Sequence, residues 1–255
     1  MSFIRSFLFS FSMFSRLPMP TLKWHDDNMR YMLAMFPFIG AVVGLFVWAW
    51  LAVCQTFDFG VLLRSVGLAL VPVAVTGGIH LDGLCDTMDA LSSHAPPARK
   101  REILKDPRAG AFAVIGAVSY LVLYVGIASE LLITPITPLL LGLIYVLCRC
   151  LSGLSVLLLN TNADKGLLSS FKDSADKTVS VIILGFIFTG TTVWLLLTAP
   201  LTGGMMLLAA FLCLIYLTVM SRRQFGGMSG DLAGFFLQLC ELAMLASIVI
   251  VEKVV

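Results

Sequence analysis

The sequence predicts an all-α polytopic membrane protein, with about seven transmembrane helices, an N-terminal helix in the membrane interface and an active site at the cytoplasmic face. Three observations predict this fold class. Apolar residues make up 59% of the 255-residue chain. Charged residues make up only 13%, whereas soluble domains have about 25%. The apolar residues also form long runs separated by short polar segments. We find no linker or repeat, so residues 1–255 are expected to form one domain.

The first apolar segment, residues 1–16, is too short to cross a bilayer. Its basic start followed by an apolar run resembles the first two regions of a secretory signal peptide. However, Arg16-Leu17-Pro18 follows the apolar run directly, without the small residues of a cleavage site. We therefore expect a retained helix in the membrane interface, with its serines on the polar face.

Seven longer apolar runs follow, each close to the roughly 20 residues that a helix needs to cross the hydrocarbon core. We place these spans at residues 31–54, 60–79, 110–133, 137–159, 178–199, 203–220 and 232–251.

The basic residues fall in alternate connecting segments. Fourteen of the 17 lie in residues 1–30, 80–109, 160–177 and 221–231, whereas residues 55–59, 134–136 and 200–202 contain none. The positive-inside rule makes the basic segments cytoplasmic. The N-terminus then lies inside and the C-terminus outside. The long cytoplasmic connections are where we expect the active site.

Charge and cysteine content exclude other classes of protein. A net charge of +2, without a basic patch, does not indicate binding to nucleic acid. The six cysteines include no C-x-x-C pair and lie mostly in apolar runs, so we expect neither disulfides nor zinc.

Three acids in the first long cytoplasmic segment share a helical spacing. If residues 81–90 are helical, Asp82, Asp86 and Asp89 fall within about 60° of one another. The helix dipole favours acids in a first turn, but that explains Asp82 and at most Asp86. Oxygen ligands without Cys or His suit Mg²⁺, which bridges to substrate phosphate. The acids therefore predict a Mg²⁺ phosphotransfer site at a membrane surface. His80 projects away from it, as a hydrogen-bonding or interfacial residue, and a proton-transfer role stays open for it.

A second group of candidates precedes the third span. Asp106 could cap that helix, because Pro107 fits the first helical position, or it could act in the reaction. Arg108 in a first helical turn is favourable only if an anion is also there. With Lys105 it would bind phosphate, and Gly110 would let the backbone approach the phosphate closely.

Two further sets of residues complete the candidates. The glycine-rich turn before the last span could hold an anion, with Arg222, Ser229 and Asp231 as binding residues.

Arg149 and Glu241 lie deep in their spans, where an unpaired charge costs several kcal/mol. Two interpretations stay open for them: they pair with each other, or Arg149 binds substrate. Asn160, Asn162 and the Lys165-Gly166 turn could line the inner mouth of the site.

Two motifs resemble the signature of the cobalamin synthase family, also called adenosylcobinamide-GDP ribazoletransferases. They are GIHLDGLCDTMD at residues 78–89 and EILKDPRAGAF at residues 102–112. The stretches FSRLPMP at 14–20 and GGMSGD at 226–231 are also similar to family features. The resemblance covers nearly the whole chain. It departs at Ser229 and Ile79, where members often have Thr and Leu. It also departs at Lys165, which replaces an acid, so no role is carried to that turn.

The resemblance implies a multi-pass enzyme of the bacterial inner membrane. Its substrates would be GDP-activated cobinamide and α-ribazole or α-ribazole 5′-phosphate, its products cobalamin or its phosphate plus GMP, and its metal Mg²⁺. Other enzymes of nucleotide-loop assembly are candidate partners, besides the lipid bilayer.

Within that reaction each candidate residue takes a role. Asp82, Asp86 and Asp89 would hold the metal, and Arg108, Lys105 and Arg222 would contact phosphate oxygens. Asp89 or Asp106 would accept the proton of the attacking hydroxyl.

Two rival functions predict different patterns. Membrane phosphotransferases that use CDP-alcohols have an Ala-Arg pair shortly after their first Asp-Gly, but here Asp82-Gly83 precedes Leu84-Cys85-Asp86. Transporters place acids at the bilayer midplane, whereas most acids here lie at the inner surface.

Overall fold

The computed structural model describes residues 2–20, 26–161 and 174–255, and within them every regular element is helical. The helices are α1 Ser2–Phe14, α2 Asp26–Met29, α3 Phe36–Thr56, α4 Val61–Thr76, α5 Ile79–Ser92, α6 Pro97–Ile103, α7 Ala111–Ser129, α8 Thr137–Leu158, α9 Lys177–Thr198, α10 Pro200–Met220 and α11 Gly230–Val254. A 3₁₀ turn, Leu33–Met35, leads into α3, and a π-helical turn, Ser221–Phe225, follows α10. The predicted all-α membrane fold is confirmed.

Six of the described helical segments are long and apolar enough to cross a membrane, and α4 with α5 forms a bent pair that could provide a seventh crossing. The predicted second span, residues 60–79, is wrong at its end because α4 stops at Thr76. The axes of α4 and α5 meet at 98°. If α4 crosses the membrane, α5 therefore lies across the end of the bundle, outside the spanning part.

Two consecutive glycines produce this bend. Gly77 and Gly78 both have positive φ, 68° and 80°, a conformation that residues with a side chain rarely adopt. The backbone N–H of Arg16 donates to the Val75 carbonyl at 2.8 Å, and the Arg16 side chain lies against Gly77. The segment after α1 thus fixes the point where α4 ends.

The core is centred on α8, which is the most deeply buried of the spanning helices described. Its partner α3 approaches it closely: a Cβ on Gly40 would lie 2.5 Å from the Tyr145 carbonyl oxygen, and one on Gly44 2.8 Å from Gly142 Cα. Small residues at a contact between membrane helices allow such packing of backbone against backbone.

Contacts between the connecting segments divide the bundle into two ends. At one end Arg30 pairs with Asp176 at 3.0 Å, and Lys100 contacts the turn after α10. At the other end Lys253 pairs with Glu130 at 2.8 Å. The described parts of the four basic segments therefore gather at one end, as the charge distribution predicts. Lys23, Lys165 and Lys172 lie outside the described residues.

The prediction for α1 is right about the helix and wrong about its polar face. Ser6 and Ser10 are fully buried, whereas Phe3 and Ile4 are exposed. The Ser6 hydroxyl accepts a hydrogen bond from the Tyr31 backbone N–H at 3.2 Å. Ser6 and Ser10 therefore face the protein, where their small side chains permit close packing, and Ser6 satisfies a buried donor.

Candidate functional site

The acids predicted to share a face do lie on one helix. α5 covers residues 79–92, so Asp82 and Asp86 project in nearly the same direction, with Asp82 exposed and Asp86 partly buried. The start of α11 packs against this helix: a Cβ on Gly83 would lie 2.7 Å from the Asp231 carbonyl oxygen. The contact places Asp231 beside the acid face. We call Asp82, Asp86 and Asp231 the acid cluster.

The carboxylates of the acid cluster act on one another. The pKa of Asp86 is raised to about 6, first by burial and then by the charges of Asp82, Asp231 and Asp89. In the described part of the chain, no Lys or Arg forms an ion pair with a member of the cluster. Clustered carboxylates without a cationic partner are electrostatically unfavourable unless a cation joins them.

The structure tests how a metal would fit. Among residues 2–20, 26–161 and 174–255, no three His, Cys, Asp or Glu side chains converge closely enough to hold one ion. The predicted three-ligand triad is therefore not assembled in this arrangement. Mg²⁺ usually takes only one or two carboxylates and completes its shell with water and substrate phosphate. The acid cluster fits that smaller requirement.

Asp89 has a role that the sequence did not predict. Its carboxylate accepts hydrogen bonds from the backbone N–H groups of Gly110 at 2.6 Å and Ala113 at 2.8 Å. It therefore caps α7 from a distant segment. Each carboxylate oxygen accepts one of these bonds, so Asp89 stabilises the start of α7, and its roles in metal binding and proton transfer stay predictions. Gly110 allows close approach, as predicted, but the approaching group is Asp89.

Asp106 and Arg108 lie outside the helix they were expected to begin. α7 starts at Ala111 with Gly110 as its N-cap, so capping by Asp106 is wrong, and so is the argument from an arginine in a first turn. Arg108 instead donates to both carboxylate oxygens of Asp106, at 2.9 and 2.8 Å. These hydrogen bonds lower the pKa of Asp106 to about 2. Arg108 and Lys105 are both exposed at this surface.

The turn between α10 and α11 carries the remaining predicted residues. Arg222 is exposed in the π-helical turn. Gly226 has φ 72°. The Ser229 hydroxyl caps α11 by accepting from the Leu232 N–H at 3.2 Å, which gives Ser229 a structural contact.

Of the residues expected at the inner mouth of the site, Asn160 contacts this turn. Its backbone carbonyl accepts a hydrogen bond from the Met228 N–H at 2.9 Å. Asn162, Lys165 and Gly166 lie outside the described residues.

Two basic residues that the sequence did not single out tie α6 to this turn. Lys100 Nζ donates to Gln224 Oε1 at 2.6 Å, and Arg101 Nη1 donates to the Phe225 carbonyl at 3.0 Å. The carbonyls at the end of a helix carry partial negative charge, which favours a cation there. Spacing along the chain gives no signal for these contacts, because 124 residues separate each pair.

Of the two interpretations of Arg149, pairing with Glu241 is confirmed. Arg149 Nη1 lies 2.8 Å from Glu241 Oε1, and each side chain is only 1% exposed. A phosphate could reach Arg149 only by opening the core, so its assignment to phosphate binding does not fit. His80 is also buried, against the rings of Phe14 and Phe36. The expected hydrogen bond is not found, since Nε2 has no partner in the described residues.

Comparison with known proteins covers almost the full chain. Residues 6–249 match the family model described as cobalamin-5-phosphate synthase. A protein of Lachnoclostridium phytofermentans named adenosylcobinamide-GDP ribazoletransferase is 37% identical over 255 residues, which is 100% of this chain and 97% of that protein. Proteins with the same name from Brevibacillus brevis and Clostridium perfringens are 31% and 28% identical, covering 96% and 94% of this chain and 98% and 95% of theirs. No solved structure matches the chain.

Proposed function

The chain belongs to the cobalamin-5-phosphate synthase family, and from this premise we propose that it joins GDP-activated cobinamide to α-ribazole or α-ribazole 5′-phosphate. The products are cobalamin or its 5′-phosphate, and GMP. The observation that carries the proposal is the match over residues 6–249, which includes every residue of the acid cluster. Full-length relatives that carry the name of this activity favour it over CDP-alcohol transfer and over transport.

We assign the acid cluster to a Mg²⁺ ion that the substrate diphosphate helps to bind. One or two of these carboxylates, from Asp82 and Asp86 on α5 or from Asp231 on α11, would supply oxygens to the ion, and water and substrate phosphate would complete its shell. When bound, Mg²⁺ neutralises the diphosphate and stabilises the departing GMP. The lack of a cationic partner in the described residues supports this assignment.

Cationic side chains of the connecting segments bind the phosphate oxygens. Arg108, Lys105 and Arg222 are exposed and therefore reach a large substrate without opening the core. Arg108 gives up an exposed ion pair with Asp106 to do so, and such pairs contribute only about 0–1 kcal/mol. The Arg108 guanidinium then contacts phosphate in the same bidentate geometry that it uses with the Asp106 carboxylate.

This exchange also supplies a base. An oxygen of a ribose hydroxyl attacks the phosphorus on the cobinamide side, and the bond from that phosphorus to the oxygen shared with GMP breaks. The hydroxyl proton goes to Asp106, while GMP leaves with the electrons of the broken bond. Hydrogen bonds from Arg108 lower the pKa of Asp106. When phosphate takes Arg108, the pKa of Asp106 rises and the carboxylate becomes a better base.

We further propose that the protein spans the inner membrane of a bacterium and that the acid cluster faces the cytoplasm. The basic segments at the end of the bundle that carries α5 support this orientation. The corrinoid and ribazole substrates then approach from the cytoplasm.

The direct test measures GMP released by the detergent-purified protein from GDP-activated cobinamide, with α-ribazole and Mg²⁺ present. We expect release that requires both substrates and yields one corrinoid product for each GMP. If the protein, reconstituted in vesicles, takes up corrinoid without releasing GMP, it is a transporter and the proposal is wrong.

A further inference from the structure

A cavity of about 400 Å³ lies where α5, α6 and the end of α10 meet. Its lining includes Leu91, Lys100, Tyr216, Val219, Arg223 and Gln224. The volume is within the usual range for small-molecule sites, about 300–1,000 Å³. The mixture of apolar and cationic side chains suits a ligand with one apolar and one anionic part.

The cavity is separate from the acid cluster. Leu91 follows Asp82 by nine residues on α5, and at roughly 100° per residue the two side chains point in opposite directions. The acid face of α5 and the cavity therefore lie on opposite sides of this helix. The carboxylates of Asp82 and Asp86 therefore do not line the cavity.

The polar part of the cavity carries positive charge. Lys100 is only 5% exposed, and its ammonium donates one hydrogen bond, to Gln224, which leaves two donors unused. Arg223 is exposed and forms no ion pair within the described parts of the chain. An anion placed between these cations would gain charge-assisted hydrogen bonds.

The apolar part continues along the outside of α10. Leu208, Leu212, Ile215 and Val219 are 52%, 57%, 60% and 44% exposed, and their spacing forms one stripe on the helix. Because α10 is a membrane-spanning helix by length and composition, this stripe faces lipid. Tyr216, where the stripe meets the cavity, is the kind of residue that marks a membrane–water interface.

We propose that this cavity binds an anionic glycerophospholipid. The lipid phosphate lies between Lys100 and Arg223, and an acyl chain follows the stripe of α10. A free nucleotide or phosphate would satisfy the cations but would leave the adjoining apolar stripe without a partner. Basic residues near a membrane surface attract anionic lipids by about 1 kcal/mol each.

The test titrates detergent-purified protein with phosphatidylglycerol and with phosphatidylcholine of the same acyl chains, and measures bound lipid by native mass spectrometry. The wild type should prefer phosphatidylglycerol at least about fivefold. Arg223→Gln should reduce the preference for phosphatidylglycerol by about the same factor. Arg99→Gln is the matched control, because it removes the same charge from an exposed residue outside the cavity and should keep the preference.

A second variant leaves Arg223 in place. Gln224→Glu puts a carboxylate beside Lys100, which should compete with the lipid phosphate and reduce the preference for phosphatidylglycerol severalfold. Thermal unfolding without lipid verifies that each variant is folded.

Three results would overturn the proposal. The first is equal affinity of the wild type for the two lipids. The second is an equal loss of the preference for phosphatidylglycerol in Arg99→Gln and in Arg223→Gln. The third is displacement of phosphatidylglycerol by GMP or pyrophosphate, which would make the cavity a site for free phosphate compounds.

Discussion

At Asp89 the acid face of α5 changes from a binding surface to a structural contact. Its neighbours Asp82 and Asp86 have no cationic partner in the described residues, whereas both oxygens of Asp89 hold backbone N–H groups at the start of α7. The spacing of the three acids was predictable from the sequence. The different role of the third was not, because it depends on Gly110, 21 residues away.

This difference predicts how Asp89→Asn behaves. An amide offers one acceptor oxygen where two N–H groups need acceptors, so we expect a lower unfolding temperature, corresponding to about 1–3 kcal/mol. Asp106→Asn, which breaks only an exposed pair, should change stability by less than about 1 kcal/mol. Thermal unfolding in detergent measures both. Unchanged stability with abolished GMP release in Asp89→Asn would instead indicate a chemical role.

Arg149 and Glu241 give a second prediction for single residues. Glu241→Gln leaves a buried guanidinium without its counter-charge, so we expect a loss of about 3–5 kcal/mol. The double variant Arg149→Met with Glu241→Leu should recover most of that loss, because no buried charge remains. Thermal unfolding of the two variants checks this. A stable but inactive Glu241→Gln protein, with the double variant also inactive, would favour a substrate role for Arg149.

At the scale of elements, close contact between α5 and α11 builds the acid cluster. Gly83 packs against Asp231, and Gly234 packs against His80, where a Cβ would lie 3.1 Å from its carbonyl oxygen. Glycine at both positions lets the two helices approach with backbone nearly in contact. From sequence alone, Asp231 belongs to a phosphate-binding turn separate from the acids of α5.

A methyl group at this contact should separate the helices. In Gly83→Ala the new Cβ would lie 2.7 Å from the Asp231 carbonyl oxygen, so we expect lower stability and at least about a tenfold loss of GMP release, since a displacement of about 1 Å at a site has large effects. Gly126→Ala is the control, because nothing lies within 4 Å of its Cβ position. Equal activity of both variants would show that this contact does not position the acids.

Helix boundaries show what local sequence can and cannot predict. The helix over residues 81–90, on which the shared face of the acids depends, is present as α5. The end of α4 was not predicted, because the apolar run continues through Gly77 and Gly78, and the chain breaks there with help from Arg16. The predicted capping of α7 by Asp106 is also wrong, because the helix begins at Ala111 and the distant carboxylate of Asp89 accepts from the backbone N–H groups at its start. Long-range partners therefore account for both errors.

At the scale of the whole molecule, the charge distribution predicted which segments share an end. Lys253 and Glu130, far apart in sequence, meet at the end opposite the basic segments. Sequence could indicate this because basic residues follow one simple rule of membrane insertion. The packing of α3 on α8 follows no such rule and depends on where each glycine falls.

The orientation can be tested by thiol labelling. Arg99→Cys should react with a membrane-impermeant maleimide only when the cytoplasmic side is exposed, and Glu130→Cys only from the opposite side. Both positions are exposed, and every native cysteine except Cys85 is buried, so the unsubstituted protein gives the background. Labelling of both cysteines from the same side would contradict the topology.

The central claim is that the acid cluster binds the divalent cation used in diphosphate transfer, and its most direct test is GMP release as a function of Mg²⁺ concentration. Compared with the wild type, Asp82→Asn, Asp86→Asn and Asp231→Asn should each lose about 10- to 100-fold in activity or in Mg²⁺ affinity. Glu130→Gln, which removes one carboxylate at the other end of the bundle, should match the wild type. If folded protein lacking the three acids still releases GMP with the same Mg²⁺ dependence, the claim is wrong.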